Sequence, residues 1–437
     1  MPQKEEQHFI TEKIKDKPLN KKKLLGKGTA TIGYAILFGI VSCLVFCGLK
    51  PIVEPLFEPK QEPWIGIGKD TPKQEPETGD TLADQEKEQE TQPDVNEKKE
   101  QENKTVYITE KKSMTLEDYQ LLQNQLYRIG NEVNKSVVTV TGVKEGKDIF
   151  DSSYEATGEA SGLIIGKSSK DLLVLTEYDV IADVKSIRVT FINNDTQNAK
   201  LKRYDRNTGI AVLSVPLEKI AQQTMEQVEI AVLGNSTNLR QGRMVVALGS
   251  PLGTSYSILT GNITSVTNTI TTEDRNYTVF TTNIVTNAKG NGVLVNTDGE
   301  VIGLYLKSSA IQKEQNTLTA VSISELQEII ELLSNGVAVP YIGIKGSTVT
   351  EAISEEYDIP KGVYIKEAVV NSPAMTAGLQ NGDVIVAMDG TQVMTMDDYQ
   401  EKLMTFQKGD KIKITAHRQQ TKGYKKFTST IEVGVLR

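Results

Sequence analysis

The chain reads as a mainly β protein: antiparallel sandwiches or barrels followed by a small α+β module, behind a single N-terminal apolar segment. Three observations point there. Short runs rich in Val, Ile, Leu and Thr recur between turn residues from 136 to 306, residues 337–437 alternate strand and short helix, and residues 29–49 form an uncharged apolar run.

That run, "TATIGYAILFGIVSCLVFCGL", is long enough to cross a hydrocarbon core, which takes about 20 residues. Lysines at 13, 15, 17, 21, 22, 23 and 27 precede it, so the positive-inside rule keeps residues 1–28 as a basic cytoplasmic tail and places everything beyond residue 50 outside the cell. No small-residue cleavage site follows, which favours an uncleaved signal anchor, a single-pass membrane segment, over a removed leader. "IVSC" at 40–43 has the form of a lipoprotein cleavage box, which would lipidate Cys43, but the apolar residues run on to Leu49. Both cysteines, Cys43 and Cys47, lie inside this run, so the exported part has no disulfide, thiolate metal site or cysteine nucleophile.

Residues 50–112 are expected to be a charged linker. From Lys69 to Lys104 the chain is Glu, Gln, Lys, Asp, Thr and Pro with almost no aliphatic side chain, too little to offset ordering entropy by burial. Globular sequence resumes at 113 and continues to 336. "TLEDYQLLQNQLYRIGNEV" carries Leu116, Tyr119, Leu122, Leu126 and Ile129 at helical spacing, and the strand-like runs follow. "SISELQEIIELLSNG" then predicts a closing helix capped by Ser322 or Ser324 and stopped at Gly336. The net charge of −8 gives no basic face for nucleic acid.

Several of these stretches resemble the HtrA (DegP-like) family of trypsin-fold serine proteases. "NKSVVTV" and "SGLIIG" resemble its first strands, "VALGSPLGTSYSILTGNITSV" its glycine-and-proline strand pair, and "NTDGEVIGL" the hairpin after the catalytic serine. "SPAMTAGLQNGDVIVAMDG" resembles the signature of a PDZ domain. The resemblance implies a trypsin-like double β-barrel over 113–336 and an α+β PDZ domain over 337–437.

Fitted through these stretches, the family's three catalytic positions hold other residues. "LTEYDVI" puts Asp179 where the family has its histidine, "TGIAVL" puts Gly209 where it has its aspartate, and "AKGNGVLVN" puts Gly290 where it has its serine. The chain has two histidines, His8 before the apolar run and His417 late in the PDZ-like part, and no serine between Val266 and Lys307. A serine triad needs an imidazole to take and return the hydroxyl proton. The triad therefore reads as lost and the chain as not an enzyme. An unconventional dyad of Lys289 with Thr286 is the remaining catalytic route. Main-chain N–H groups of 288–290 could still form an anion nest. No His/Asp/Glu cluster has metal-ligand spacing, and no cofactor is expected.

PDZ domains take a peptide's C-terminus as an added strand, its carboxylate held by the N–H groups of a short loop and its last side chain in an apolar pocket. The resemblance places that loop at Tyr341, Ile342, Gly343 and Ile344. Pocket candidates are Ile342, Ile344, Tyr399 and Leu403, the last two one helical turn apart. Partners expected on this reading are polypeptide C-termini or unfolded proteins, the membrane through 29–49, and a homo- or hetero-oligomer, since family members often trimerise. The leading expectation is an anchored extracytoplasmic pseudoprotease acting as adaptor or sensor in envelope quality control. The alternatives are an endopeptidase with unconventional residues and a non-catalytic oligomer partner of an active protease.

Overall fold

Thr115 opens the first helix by a reciprocal cap. Its hydroxyl accepts from the Asp118 N–H at 3.2 Å, and the Asp118 carboxylate accepts from the Thr115 N–H at 2.9 Å. In this computed structural model, which describes residues 64–67, 114–147, 153–287, 289–306 and 316–436, the helix α1 spans Leu116–Val133. Leu126 is buried and Ile129 packs against the core, but Leu116 and Tyr119 are exposed, so only the second half of the expected apolar face is used. The tail 1–28, the apolar run 29–49 with its cysteines, and the linker apart from 64–67 lie outside the described residues. Among the described residues, no helix is long and apolar enough to cross a membrane.

Two closed six-stranded barrels follow. The first contains β1 (Val137–Lys147), β2 (Ser153–Lys167), β3 (Asp171–Glu177), β4 (Ser186–Thr190), β5 (Thr196–Asp205) and β6 (Ile210–Pro216), joined in the order β1-β2-β3-β6-β5-β4. Short helices α2 (Tyr178–Ile181) and α3 (Gln222–Met225) punctuate it. The second contains β7 (Met244–Ser250), β8 (Ser257–Thr271), β9 (Asn276–Val285), β10 (Asn291–Val295), β11 (Val301–Tyr305) and β12 (Thr317–Ser322), in the order β10-β11-β12-β9-β8-β7. All pairings within the barrels are antiparallel, and because each barrel is closed its described strands present no open sheet edge.

The strands between the barrels are apolar without interruption because each serves two cores. In β3, Leu172 and Val174 point into the first barrel, while Leu173 and Leu175 join the seam between barrels. In β7, Val245 and Ala247 fill the second barrel while Val246 and Leu248 face the seam, and in β10 Leu294 is divided from Val293 and Val295 in the same way. A period of two with both faces buried gives runs such as "LLVL" rather than alternation with polar residues. The helix α4 (Ile323–Ser334) lays Ile323, Leu326, Ile330 and Leu333 on the seam. Ser322 stands at its N-cap without capping through its side chain; that hydroxyl instead meets the Ser236 hydroxyl at 2.8 Å. Gly336 stops the helix as expected, with φ +72° and its N–H bonded to Leu333 O. Within the stretch read as linker, Ile67 is buried in the same seam core, and Ile65 exchanges two backbone hydrogen bonds with the Asn335 amide at 2.9 and 3.0 Å.

The C-terminal domain has β13 (Ile344–Thr348), α5 (Glu351–Tyr357), β14 (Val363–Ala368), α6 (Pro373–Thr376), β15 (Val384–Met388), β16 (Thr391–Gln392), α7 (Met396–Met404), β17 (Lys411–Gln420) and β18 (Gly423–Glu432). Its sheet runs β13-β14-β15-β17-β18, with β16 paired to β15. It has its own apolar core, including Ile365, Ile385, Ile412 and Ile414. All described residues belong to one compact unit that begins at Trp64.

Leu173 is fully buried in the seam. Leu173→Ala is expected to lower the unfolding free energy by about 2–5 kcal/mol, read from chemical denaturation. Val232→Ala, at an exposed side chain, should cost under about 0.5 kcal/mol. Equal losses would show that the seam does not carry the fold.

Candidate active site and peptide-binding cradle

The three fitted catalytic positions fall at the ends of seam strands. The strand β3 ends at Glu177, and α2 immediately follows with Asp179, which is exposed. Gly209 stands just before β6, in a turn built on Asp205, whose buried carboxylate accepts from the Thr208 N–H at 3.0 Å and the Thr208 hydroxyl at 2.7 Å. Gly209 has φ +77°, and its carbonyl accepts from the Tyr178 N–H at 2.8 Å, so the segments carrying positions 179 and 209 are joined directly. Beside them the Tyr178 and Tyr204 rings stack at 3.9 Å.

The loop before β10 is organised by Asn287. Its side-chain oxygen accepts from the Lys289 N–H at 2.9 Å, its carbonyl accepts from the Gly290 N–H at 2.9 Å, and its amide donates to Leu252 O at 2.9 Å. The N–H groups of 289 and 290 are thus bonded within the loop rather than forming an anion nest. Gly290 itself has no room for a side chain. A Cβ there would lie 2.1 Å from the Thr286 hydroxyl and 2.4 Å from Pro251 O. The Thr286 hydroxyl fills that space and donates to Pro251 O at 2.8 Å. Thr286 is buried and Lys289 is exposed.

Sequence reasoning passed over the residues that join the barrels at this point. The Asn291 side-chain oxygen accepts from the Ser161 N–H at 2.8 Å, and the Thr176 hydroxyl donates to Ser161 O at 3.2 Å. Ser161, Thr176, Glu177 and Asn291 line a small cavity of about 20 Å³, room for roughly one water. The buried Tyr305 hydroxyl donates to Leu248 O at 2.8 Å, and its ionisation is pushed well above the ordinary phenol value by burial, with the Glu177 charge acting in the same direction. Only the chain order of these polar residues was visible beforehand, since they sit inside strands.

In the C-terminal domain the fold brings Ile342, Ile344, Tyr399 and Leu403 into one buried cluster. Gly343 has φ +87°, and a Cβ there would lie 2.3 Å from Ser372 Cβ, so the backbone passes where only glycine fits. The N–H groups of Ile342 and Gly343 both donate to Asp274 Oδ2 at 2.7 Å, and that of Ile344 donates to Oδ1 at 3.0 Å. The Tyr399 hydroxyl donates to Oδ1 at 2.6 Å. Asp274 comes from the tip between β8 and β9 of the second barrel, and nothing in the sequence marked it. Burial pushes its carboxyl up from the ordinary value, and the four donors pull it back. Burial also raises Tyr399 well above the usual phenol value, and the neighbouring Asp274 charge adds to the shift.

Residues 160–304 match the trypsin-like peptidase domain and residues 364–415 the PDZ domain. The Do-like serine protease HtrB of Bacillus subtilis (strain 168) is 31% identical over 277 residues, covering 59% of this chain and 59% of that protein. The Do-like serine protease HtrA of Lactobacillus helveticus is 29% identical over 326 residues, covering 66% of this chain and 77% of that protein. The chain is thus similar to HtrA-type serine proteases in both its peptidase-like and its PDZ parts. It spans about three fifths of the length of the Bacillus HtrB relative. Among solved structures, the HtrA-type protease AlgW with decapeptide matches 71% of this chain and 99% of that one, with a TM-score of 0.52 at 20% identity, a likeness of fold.

These relatives correct one expectation. A chain read from positions 179, 209 and 290 as not an enzyme is matched by proteins named serine proteases and by a peptidase domain. The reading took the residue type at three fitted positions as decisive. Space at the loop is shared differently: the hydroxyl beside position 290 belongs to Thr286, four residues earlier.

Gly290→Ser is accordingly expected to destabilise, by about 1–3 kcal/mol, because its Cβ meets the Thr286 hydroxyl and Pro251 O. A fall in the thermal midpoint without gain of peptidase activity is the expected result. A stable variant with raised activity would show that the loop reshapes to accept the side chain.

Proposed function

We propose that the protein is an HtrA-type endopeptidase that acts on polypeptides outside the cell membrane, recruiting them through the C-terminal residues bound by its PDZ domain. The observation that carries this reading is the convergence of three backbone N–H groups from Ile342, Gly343 and Ile344 on one carboxylate. Such a cradle, beside an apolar cluster, suits the end of a polypeptide chain. Unfolded proteins fit the same reading, because they present free termini and extended backbone.

Hydrolysis in this reading uses unconventional residues. The Thr286 hydroxyl occupies the space beside position 290 and is the candidate nucleophile, and Lys289 in the same loop is the candidate to take its proton. Attack requires the hydroxyl to leave Pro251 O, so substrate binding must rearrange the loop. The apolar run 29–49 supports anchorage with the N-terminus in the cytoplasm, and the family resemblance supports assembly with other copies or with related proteases.

The test is incubation of the purified chain with an unfolded protein, with internal cleavage sites read by mass spectrometry. Cleavage is expected, and Thr286→Val, which keeps the shape and removes the hydroxyl, should reduce it at least about 100-fold. Absence of cleavage by the unaltered chain would overturn the peptidase reading; undiminished cleavage by the variant would overturn the assignment of Thr286.

A further inference from the structure

The cradle is already filled from within. Asp274 lies in a tight tip, Thr272–Arg275, where the Thr272 N–H and hydroxyl both donate to Arg275 O at 2.8 and 2.9 Å and Asp274 takes φ +59°. From there its carboxylate receives the N–H groups of Ile342, Gly343 and Ile344 and the Tyr399 hydroxyl, and its own N–H donates to Ile344 O at 2.6 Å. A carboxylate that collects loop N–H groups, next to an N–H that pairs with the following strand, is the pair of groups the last residue of a peptide would present. Asp274 is buried, so these donors have no room for a second carboxylate while it is in place.

We propose that Asp274 is a built-in competitor for the C-terminal carboxylate, so that the PDZ domain accepts a polypeptide end only when the β8–β9 tip withdraws. The inference rests on the reading of this domain as a binder of polypeptide C-termini. Hydrogen bonds given up by Asp274 are remade by the incoming terminus, so the exchange turns on concentration. A tethered ligand acts at an effective concentration that short links place in the millimolar range, and an external peptide must exceed that competition. The tip is also tied on two further sides. The Asn276 N–H donates to Gln400 Oε1 on α7 at 2.6 Å, and the Asn207 amide donates to Glu273 O at 2.6 Å from the turn that holds Gly209. Withdrawal of Asp274 therefore pulls on the turn at the mouth of the inter-barrel cleft as it opens the cradle.

The experiment uses the whole chain and a fluorescent pool of peptides with apolar last residues, with either free or amidated C-termini. Binding is measured by anisotropy for the unaltered protein, Asp274→Ala and Asp274→Asn, each checked for folding by circular dichroism. Asp274→Ala should bind free-carboxylate peptides about 10- to 100-fold more tightly than the unaltered chain, with no gain for amidated peptides, and Asp274→Asn should fall between. In the unaltered chain, hydrogen exchange at the Asp274 N–H should quicken when free-carboxylate peptide is added to saturation, a readout that needs no variant. Equal binding by all three chains, with Asp274 exchange unmoved by peptide, overturns the competitor role and leaves C-terminal capture standing. Failure of all three chains to bind any peptide overturns the capture reading and the competitor role with it.

Discussion

The seam between the two barrels is the constraint on which the rest of the molecule depends. β3, β6, β7 and β10 each contribute alternate side chains to a barrel interior and to the shared layer between barrels, so neither barrel can shift register without emptying both. Position 290 lies just before β10, position 209 just before β6, and Asp179 just after β3. The site is assembled at the ends of the most deeply buried strands. Its backbone is fixed by packing rather than by the loop residues, which is how loop chemistry can vary while the frame stays the same.

Within that frame the loop at 286–290 has a local order of its own. Asn287 takes up the N–H groups of Lys289 and Gly290, and Thr286 fills the space beside Gly290. Gly292, at φ +146°, would bring a Cβ to 2.1 Å from Leu248 O, so the chain after the loop is pressed against β7. Glycine at 290 and 292 is thus required by close approach of backbone and hydroxyl. The same crowding lets the Asn291 amide reach across to Ser161 and fasten the two barrels where the cleft begins.

Much of the fold was legible because its signals are local. "RMVVALG" and β7 differ by a single residue at each end, the closing helix stops at Gly336 as read, and the spacing of short apolar runs indicated barrels or sandwiches before their closure was known. The amphipathic helix at 116–133 was legible in kind but not in contact, since Leu116 and Tyr119 are exposed. The cradle loop was legible through a resemblance and through the glycine at 343. What could not be read was Asp274. "TTEDRNY" has the composition of any polar hairpin turn, and the groups that give this aspartate its meaning lie 68 to 70 residues away on one loop and 125 residues away at Tyr399. Sequence patterns report periodic burial; a single buried carboxylate depends on where two domains meet.

That meeting is costly unless it is matched. Burying a carboxylate carries a penalty of several kcal/mol, and here four donors surround it with no competing acceptor among the bonds it makes. Because each of these neighbours donates, the arrangement suits the anion even as burial pushes the carboxyl upward. The same donors define what could replace it: another carboxylate, with an N–H beside it to satisfy Ile344 O. An apolar or cationic group would leave the three loop N–H groups buried and unpaired, at about 1–3 kcal/mol each. The contact that fastens the PDZ domain to the second barrel is thereby selective for one kind of competitor. Since the tip that carries Asp274 also holds the turn of Gly209 through Asn207, occupancy of the cradle and the shape of the cleft mouth are set by one short segment of chain.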